Sequence, residues 1–167
     1  MTTDHILINV APGETRVAGL SDGRLDEFSI FRAGAESIAG NIYLGRVEGV
    51  VDGLGAAFVE IGLARSGFLA LPEVRPADAE NGDEIADYLS EGDTVLVQVL
   101  RDPVEDKGAK LTTRISLTGR DLIFQPGQPG VAISRRISDP DERERLMDLL
   151  EGLAGDGEGF ILRTAAA

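Results

Sequence analysis

Between residues 42 and 117 the sequence repeats one pattern five times. A short run with apolar side chains at every second position is followed by a turn rich in glycine or polar residues. The runs are IYLGRVEGVV at 42–51, AAFVEI at 56–61, SGFLAL at 66–71, DTVLVQVL at 93–100 and AKLTTRISL at 109–117. A period of two belongs to a half-buried strand, because successive side chains leave a pleated backbone on opposite sides. Five such strands bury their common apolar face most simply by closing on one another, so the pattern predicts a five-stranded barrel of the OB type ending near Gly119. The acidic stretch 72–93, between the third and fourth runs, reads as a solvated connection with a short helix near 83–89.

The flanks differ from each other. HILINV at 5–10, TRVAGL at 15–20 and LDEFSIF at 25–31, with the turn SDGR between the last two, predict three antiparallel strands, and 33–40 reads as a connector. After the barrel come a strand and a Pro/Gly turn in RDLIFQPGQPG, then a helix over 138–155, then a strand in GFILRT at 159–164. Ser138 or Asp139 can cap the helix, Pro140 suits its first turn, and Leu146, Leu149, Leu150 and Leu153 form an apolar stripe. Neither flank makes a convincing domain alone. The expected fold is α+β and mostly β, with the barrel (40–119) inserted into a discontinuous α/β layer made of 1–39 and 120–167.

With 43% hydrophobic residues the chain can fill a core, and its net charge of −13 argues against a broad surface that coats nucleic acid. Any such site must be local. The absence of cysteine excludes disulfides, thiolate metal sites and cysteine nucleophiles. There is no apolar run of membrane-spanning length, and MTTDHILINV lacks the features of a signal peptide, so a cytoplasmic protein without membrane partners is expected. For catalysis the material is poor: one histidine, His5, no phosphate loop ending in Lys-Ser or Lys-Thr, and carboxylates in DAENGDEIAD and DPVED without metal-site spacing. Neither catalytic residues nor a cofactor can be assigned.

Alternation turns Ala57, Val59 and Ile61 inward and leaves Phe58 on the outer face; likewise Leu69 and Leu71 point in and Phe68 out. Two readings stay open for these rings. They form a platform on which bases of a single strand stack, with Lys107 and Arg46 contacting phosphates, or they pack against a flanking layer. A second group centres on ISRRI at 133–137, where alternation places Arg135 among apolar neighbours, and on Arg163-Thr164 at the end of the last strand. Two guanidiniums and a hydroxyl can hold a phosphate, although from these residues alone a salt bridge to one of the many carboxylates is the simpler account of a half-buried arginine.

Taken together, NIYLGRVEGVVDGLGAAFVEIGLARSGFLAL, DKGAKLTTRISLTGR, ISRRI and GFILRTA resemble the N-terminal part of the ribonuclease E/G family of bacterial endoribonucleases, in the family's order from about Ile6 to Thr164. The resemblance implies a ribonuclease-H-like subdomain interrupted by an S1 domain, followed by a segment that senses the RNA 5′ end. It places Phe58, Phe68 and Lys107 on the S1 residues that hold single-stranded RNA. Gly119, Ile123, Arg135, Arg163 and Thr164 fall on or near the 5′-monophosphate pocket. The implied partner is single-stranded RNA with a 5′-monophosphate rather than DNA, and the implied role is mRNA decay and rRNA processing. The family's magnesium-dependent catalytic domain and its zinc link lie beyond this stretch, so the chain is expected to be a truncated member, inactive by itself. Leu44 and Asp106 stand where the family often has Lys and Asn or a small residue, which makes the barrel less basic than usual. An alternative is that the chain keeps the fold as a catalytically inert regulatory or protein-interaction module.

Overall fold

The computed structural model describes residues 3–34, 36–74, 76 and 84–166. They divide into two units, Met1–Ser37 and Ile38–Ala167. The first is a three-stranded antiparallel sheet of β1 (His5–Ala11), β2 (Glu14–Ser21) and β3 (Arg24–Arg32), with β2 in the centre. Asp22 and Gly23, at φ of 52° and 74°, make the two-residue turn between β2 and β3, a left-handed pair whose twist matches that of the strands it joins. The register sets Leu7, Ala18 and Phe28 side by side on one face and Ile8, Val17 and Ser29 on the other. His5 lies at the start of β1, exposed, with Nδ1 3.2 Å from Asp4.

The second unit begins with the barrel. Its strands are β4 (Ile42–Val51), β5 (Ala56–Glu60), β6 (Gly67–Ala70), β7 (Thr94–Arg101) and β8 (Lys110–Thr112), closed in the order β4-β5-β6-β8-β7. All neighbours are antiparallel except β6 and β8, which run parallel. The alternation delivers Val47, Ala57, Val59, Leu69, Val97, Val99 and Leu111 to the interior, each at most 2% exposed. Five strands enclose only enough space for these small aliphatic side chains, so the barrel is a filled core rather than a cavity. At its seam the backbones nearly touch. A Cβ on Gly108 would overlap the carbonyl oxygen of Ser66, so that loop accepts no larger residue without moving.

Two expectations for this region need correcting. The short helix expected near 83–89 is a single 3₁₀ turn, Ile85–Asp87, and it is more than a solvated connection. Ile85 and Leu89 are buried and join the barrel core, because one end of a five-stranded barrel otherwise leaves apolar side chains in water. Residues 77–83 of the acidic stretch lie outside the described residues. The last barrel strand is also shorter than expected. After Thr112 the chain leaves the ladder: Thr113 bonds to the Glu73 carbonyl through N and Oγ1, at 3.1 and 2.9 Å, and the Gln98 side chain holds both the N–H and the carbonyl of Ser116.

Leu117–Thr118 therefore forms β9 of a separate four-stranded sheet with β10 (Leu122–Pro126), β11 (Gly130–Ile133) and β12 (Glu158–Leu162), in the order β11-β12-β10-β9. Of the two inner strands, β12 is parallel to β11 and antiparallel to β10. Before it comes a helix, the second among the described residues after the four-residue α1 (Leu71–Val74): α2 spans Pro140–Glu151, and Asp139 caps it by accepting hydrogen bonds from the N–H groups of Asp141 and Glu142. Of the expected leucine stripe only Leu146 and Leu150 are buried, with Ile133, Ile137 and Leu162. Leu149 points to solvent, and Leu153 falls after the helix has stopped at Gly152. Among the described residues no helix is long and apolar enough to cross a membrane.

Candidate nucleic-acid interface

The hairpin of β5 and β6 presents the two rings that strand alternation turned outward. Phe58 and Phe68 are direct cross-strand partners, with ring centroids 6.0 Å apart and planes at 70°. This edge-to-face contact suits the ring quadrupoles and braces one ring against the other. Phe58 remains 37% exposed, among the scarce aromatics of a chain that holds only 5% of them. The two rings thus lie side by side on the outer face of the hairpin.

Three cations lie on the strands and the loop that flank this hairpin. Arg46 lies on the outer side of β4, opposite Glu60 in register and exposed. Lys107 sits in the loop before β8, where Val104 and Lys107 exchange backbone hydrogen bonds of 3.1 and 2.9 Å. Arg65 ties that loop to the tip of the β5–β6 hairpin through the Asp106 carboxylate at 2.8 Å and its carbonyl at 3.0 Å. The third cation, Lys110, was missed in the sequence. Its register partner is Phe68, across the parallel seam, and its Nζ is 3.6 Å from Glu73. The only signal for it was parity, since Lys110 falls between the inward Ala109 and Leu111; which strand β8 would lie beside could not be read locally.

Carboxylates dilute these charges. Glu60 faces Arg46, Glu73 approaches Lys110, Asp106 takes Arg65, and Glu48 accepts a hydrogen bond from the Ser66 hydroxyl. Leu44 is exposed opposite Leu96 on the neighbouring outer face. Such a surface can stack bases and touch a few phosphates, but it cannot act as a broad polycationic track.

The second group of residues converges at one end of the four-stranded sheet. Strand β12 ends at Leu162, whose carbonyl accepts the Ser134 N–H at 2.8 Å, bringing the turn that carries Arg135 beside Arg163. The Arg163 N–H donates to the Asp121 carbonyl at 2.8 Å, and its Nη1 donates to the carbonyls of Gly119, at 2.7 Å, and Arg120, at 3.3 Å. Ile123 stands opposite Ile161 on β10, and Thr164 opens the 3₁₀ turn that follows. Gly119, Ile123, Arg135, Arg163 and Thr164 are therefore gathered at one strand end. Arg135 departs from the sequence expectation: β11 stops at Ile133 and Ser134–Ile137 is a turn, so Ile133 and Ile137 are buried while Arg135 and Arg136 are exposed. Arg143 fixes that turn by donating from Nη1 to the carbonyls of Ser134 and Ile137, at 3.0 and 2.9 Å.

One carboxylate belongs to this group and was not anticipated. Asp121 receives Arg120 in a forked contact, Nε at 3.0 and 3.1 Å and Nη2 at 2.9 Å. Those hydrogen bonds, with a weaker contribution from the charge on Arg163, hold the Asp121 carboxyl below the usual carboxylate range. Among the described residues no group of three or more His, Asp or Glu side chains is placed to bind a metal ion, so no step through magnesium is assigned to them.

Comparison with known proteins matches both parts of the second unit. Residues 36–114 fit the model of the S1 RNA binding domain, and residues 116–167 fit that of the Ribonuclease E/G family. The chain is 43% identical to a ribonuclease G of Salmonella typhimurium and 42% identical to one of Escherichia coli K12, in each case over 98% of its own length and 35% of the relative's. It is 40% identical to ribonuclease E of Escherichia coli K12 over 96% of its length, which is 16% of that protein. The chain thus spans about a third or less of these curated relatives.

Proposed function

We propose, from the premise that the chain belongs to the ribonuclease E/G family and that its barrel is an S1 domain, that it recognises single-stranded RNA and favours a 5′-monophosphorylated end. The observation that carries the RNA reading is the outward Phe58–Phe68 pair with Lys110 in register beside it. Every base has a π-face, so rings of this kind hold a strand without demanding a sequence, and the nearby cations position its backbone. The gathering of Arg163, Thr164 and the Arg135 turn around the 119–122 segment supports the 5′-end reading. Guanidiniums in a fork and a hydroxyl match the several acceptor oxygens of a terminal phosphate. Cleavage, with a role in RNA processing and decay, is proposed for the longer enzymes that the relatives' names describe; this stretch supplies recognition.

The test is fluorescence anisotropy at low salt, using one RNA of about ten nucleotides that carries either a 5′-monophosphate or a 5′-hydroxyl. The monophosphate form is expected to bind about 10- to 150-fold more tightly, and Arg163→Ala is expected to erase the difference, in line with the roughly 1.5–3 kcal/mol net worth of a hydrogen bond to a charged group. Equal affinity for the two ends removes the sensing reading, and no measurable binding removes the RNA reading altogether. Salt gives a separate check. If contacts to phosphate come from Arg46, Lys107, Lys110, Arg135 and Arg163, the slope of log affinity against log salt is on the order of −3 to −4, at about −0.7 per contact. A slope near −6 would contradict a local site.

A further inference from the structure

The 119–122 turn wraps the backbone and one nitrogen of Arg163 with three carbonyls, and the side chain it carries next to them is an acid. Arg120 and Arg163 are the two guanidiniums nearest this turn. Asp121 engages the first through three short N–O contacts and lies within electrostatic reach of the second. Its side chain is 39% exposed and that of Arg120 is 86% exposed, so solvent and a ligand reach both. We propose that Asp121 is an internal competitor for the anion pocket, a carboxylate that occupies Arg120 and offsets Arg163 until a 5′-terminal phosphate takes its place. The inference rests on the reading of this pocket given above and adds the residue that sets its strength.

The physical argument is a balance of charges. An exposed ion pair such as Arg120–Asp121 is worth little by itself, so Arg120 can exchange one anion for another at small cost. A terminal phosphate carries about −1.5 to −2 charges and three strong acceptor oxygens, against one charge and two oxygens on Asp121. It therefore outbids the carboxylate for the guanidiniums, but it binds with Asp121 still nearby and repelling it. A 5′-hydroxyl end brings no such charge and feels no such repulsion. Removing the acid thus helps the phosphorylated end and leaves the other nearly unaffected.

The experiment compares wild type, Asp121→Asn, Asp121→Ser, Arg163→Ala and the Asp121→Asn/Arg163→Ala double variant, by anisotropy with the two forms of one ten-nucleotide RNA. Circular dichroism melts check that each variant folds. Asp121→Asn and Asp121→Ser are expected to tighten the 5′-monophosphate RNA about three- to tenfold and to change the 5′-hydroxyl RNA less than twofold. The gain should vanish in the double variant. Weaker binding of the phosphorylated RNA would show that Asp121 positions Arg120 instead of competing, and equal tightening of both RNAs would show a general charge effect; each overturns the proposal, as does no change. The two readings fail separately. If the wild type shows no end preference but Asp121→Asn acquires one, the native sensing role falls and the competition stands; if neither shows a preference, both fall.

Discussion

Phe58→Ala is expected to weaken binding of a ten-nucleotide single strand by about 5- to 150-fold, the range set by roughly 1–3 kcal/mol of stacking per base, with little change in melting temperature. The ring is at the surface, 37% exposed, and its removal opens no interior cavity. The Phe58→Ala/Phe68→Ala pair should lose about 30-fold or more. The effect of the second change should also depend on the first, because the rings brace each other at 6.0 Å. Phe58→Tyr is the control, since it keeps the π-face and should keep most of the affinity. Unchanged binding in the double variant, with the barrel intact by circular dichroism, would falsify the platform. That result would also favour the alternative in which the fold serves protein contacts.

Leu111→Ala carries the largest expected effect on the fold. Leu111 is 0% exposed on a strand of only three residues, and β8 closes the barrel by pairing with both β6 and β7. Truncating a fully buried leucine costs about 2–5 kcal/mol through lost transfer energy and the cavity that remains. Here the wall that lines the cavity is also the seam. The cooperative transition of the barrel should shift down by about 10 °C or more, and RNA affinity should fall with it even though Leu111 touches no ligand. A shift below about 2 °C would mean that the seam is held by backbone pairing alone. Leu111→Met, which nearly conserves volume, is expected to cost less than about 1.5 kcal/mol.

The barrel was legible because its signal is local. Alternation in 42–51, 56–61 and 66–71 needed no knowledge of partners to turn Val59 and Leu69 inward and Phe58 and Phe68 outward. What the sequence hid depends on which segments meet. Lys110 could not be placed beside Phe68 because a parallel pairing across some forty residues leaves no local trace. Ile85 was hidden inside an acidic stretch whose composition suggested water, though its neighbour is the open end of the barrel. The alternation of ISRRI misled for a related reason. Ser134 N–H, taken by the Leu162 carbonyl, and Arg143, bridging Ser134 and Ile137, end the strand and make a turn, and neither partner is a neighbour in sequence. Asp121 was passed over as one carboxylate among 29, and only the position of Arg163 gives it meaning.

The parallel seam also divides the platform by origin. Both rings come from one hairpin, residues 56–70, while Lys107 and Lys110 come from a segment that meets it only when the barrel closes. The two contributions are therefore encoded in separate stretches of sequence. On the proposed reading, a substitution at an exposed position of the loop before β8, such as Lys107, changes the attraction for phosphate, whereas Gly108 and Asp106 are tied to the hairpin through Ser66 and Arg65 and the geometry of stacking is inherited with the hairpin as a block. If the proposed binding mode holds, evolution, or a designer varying Lys107 alone, has a dial for affinity that leaves the rings in place.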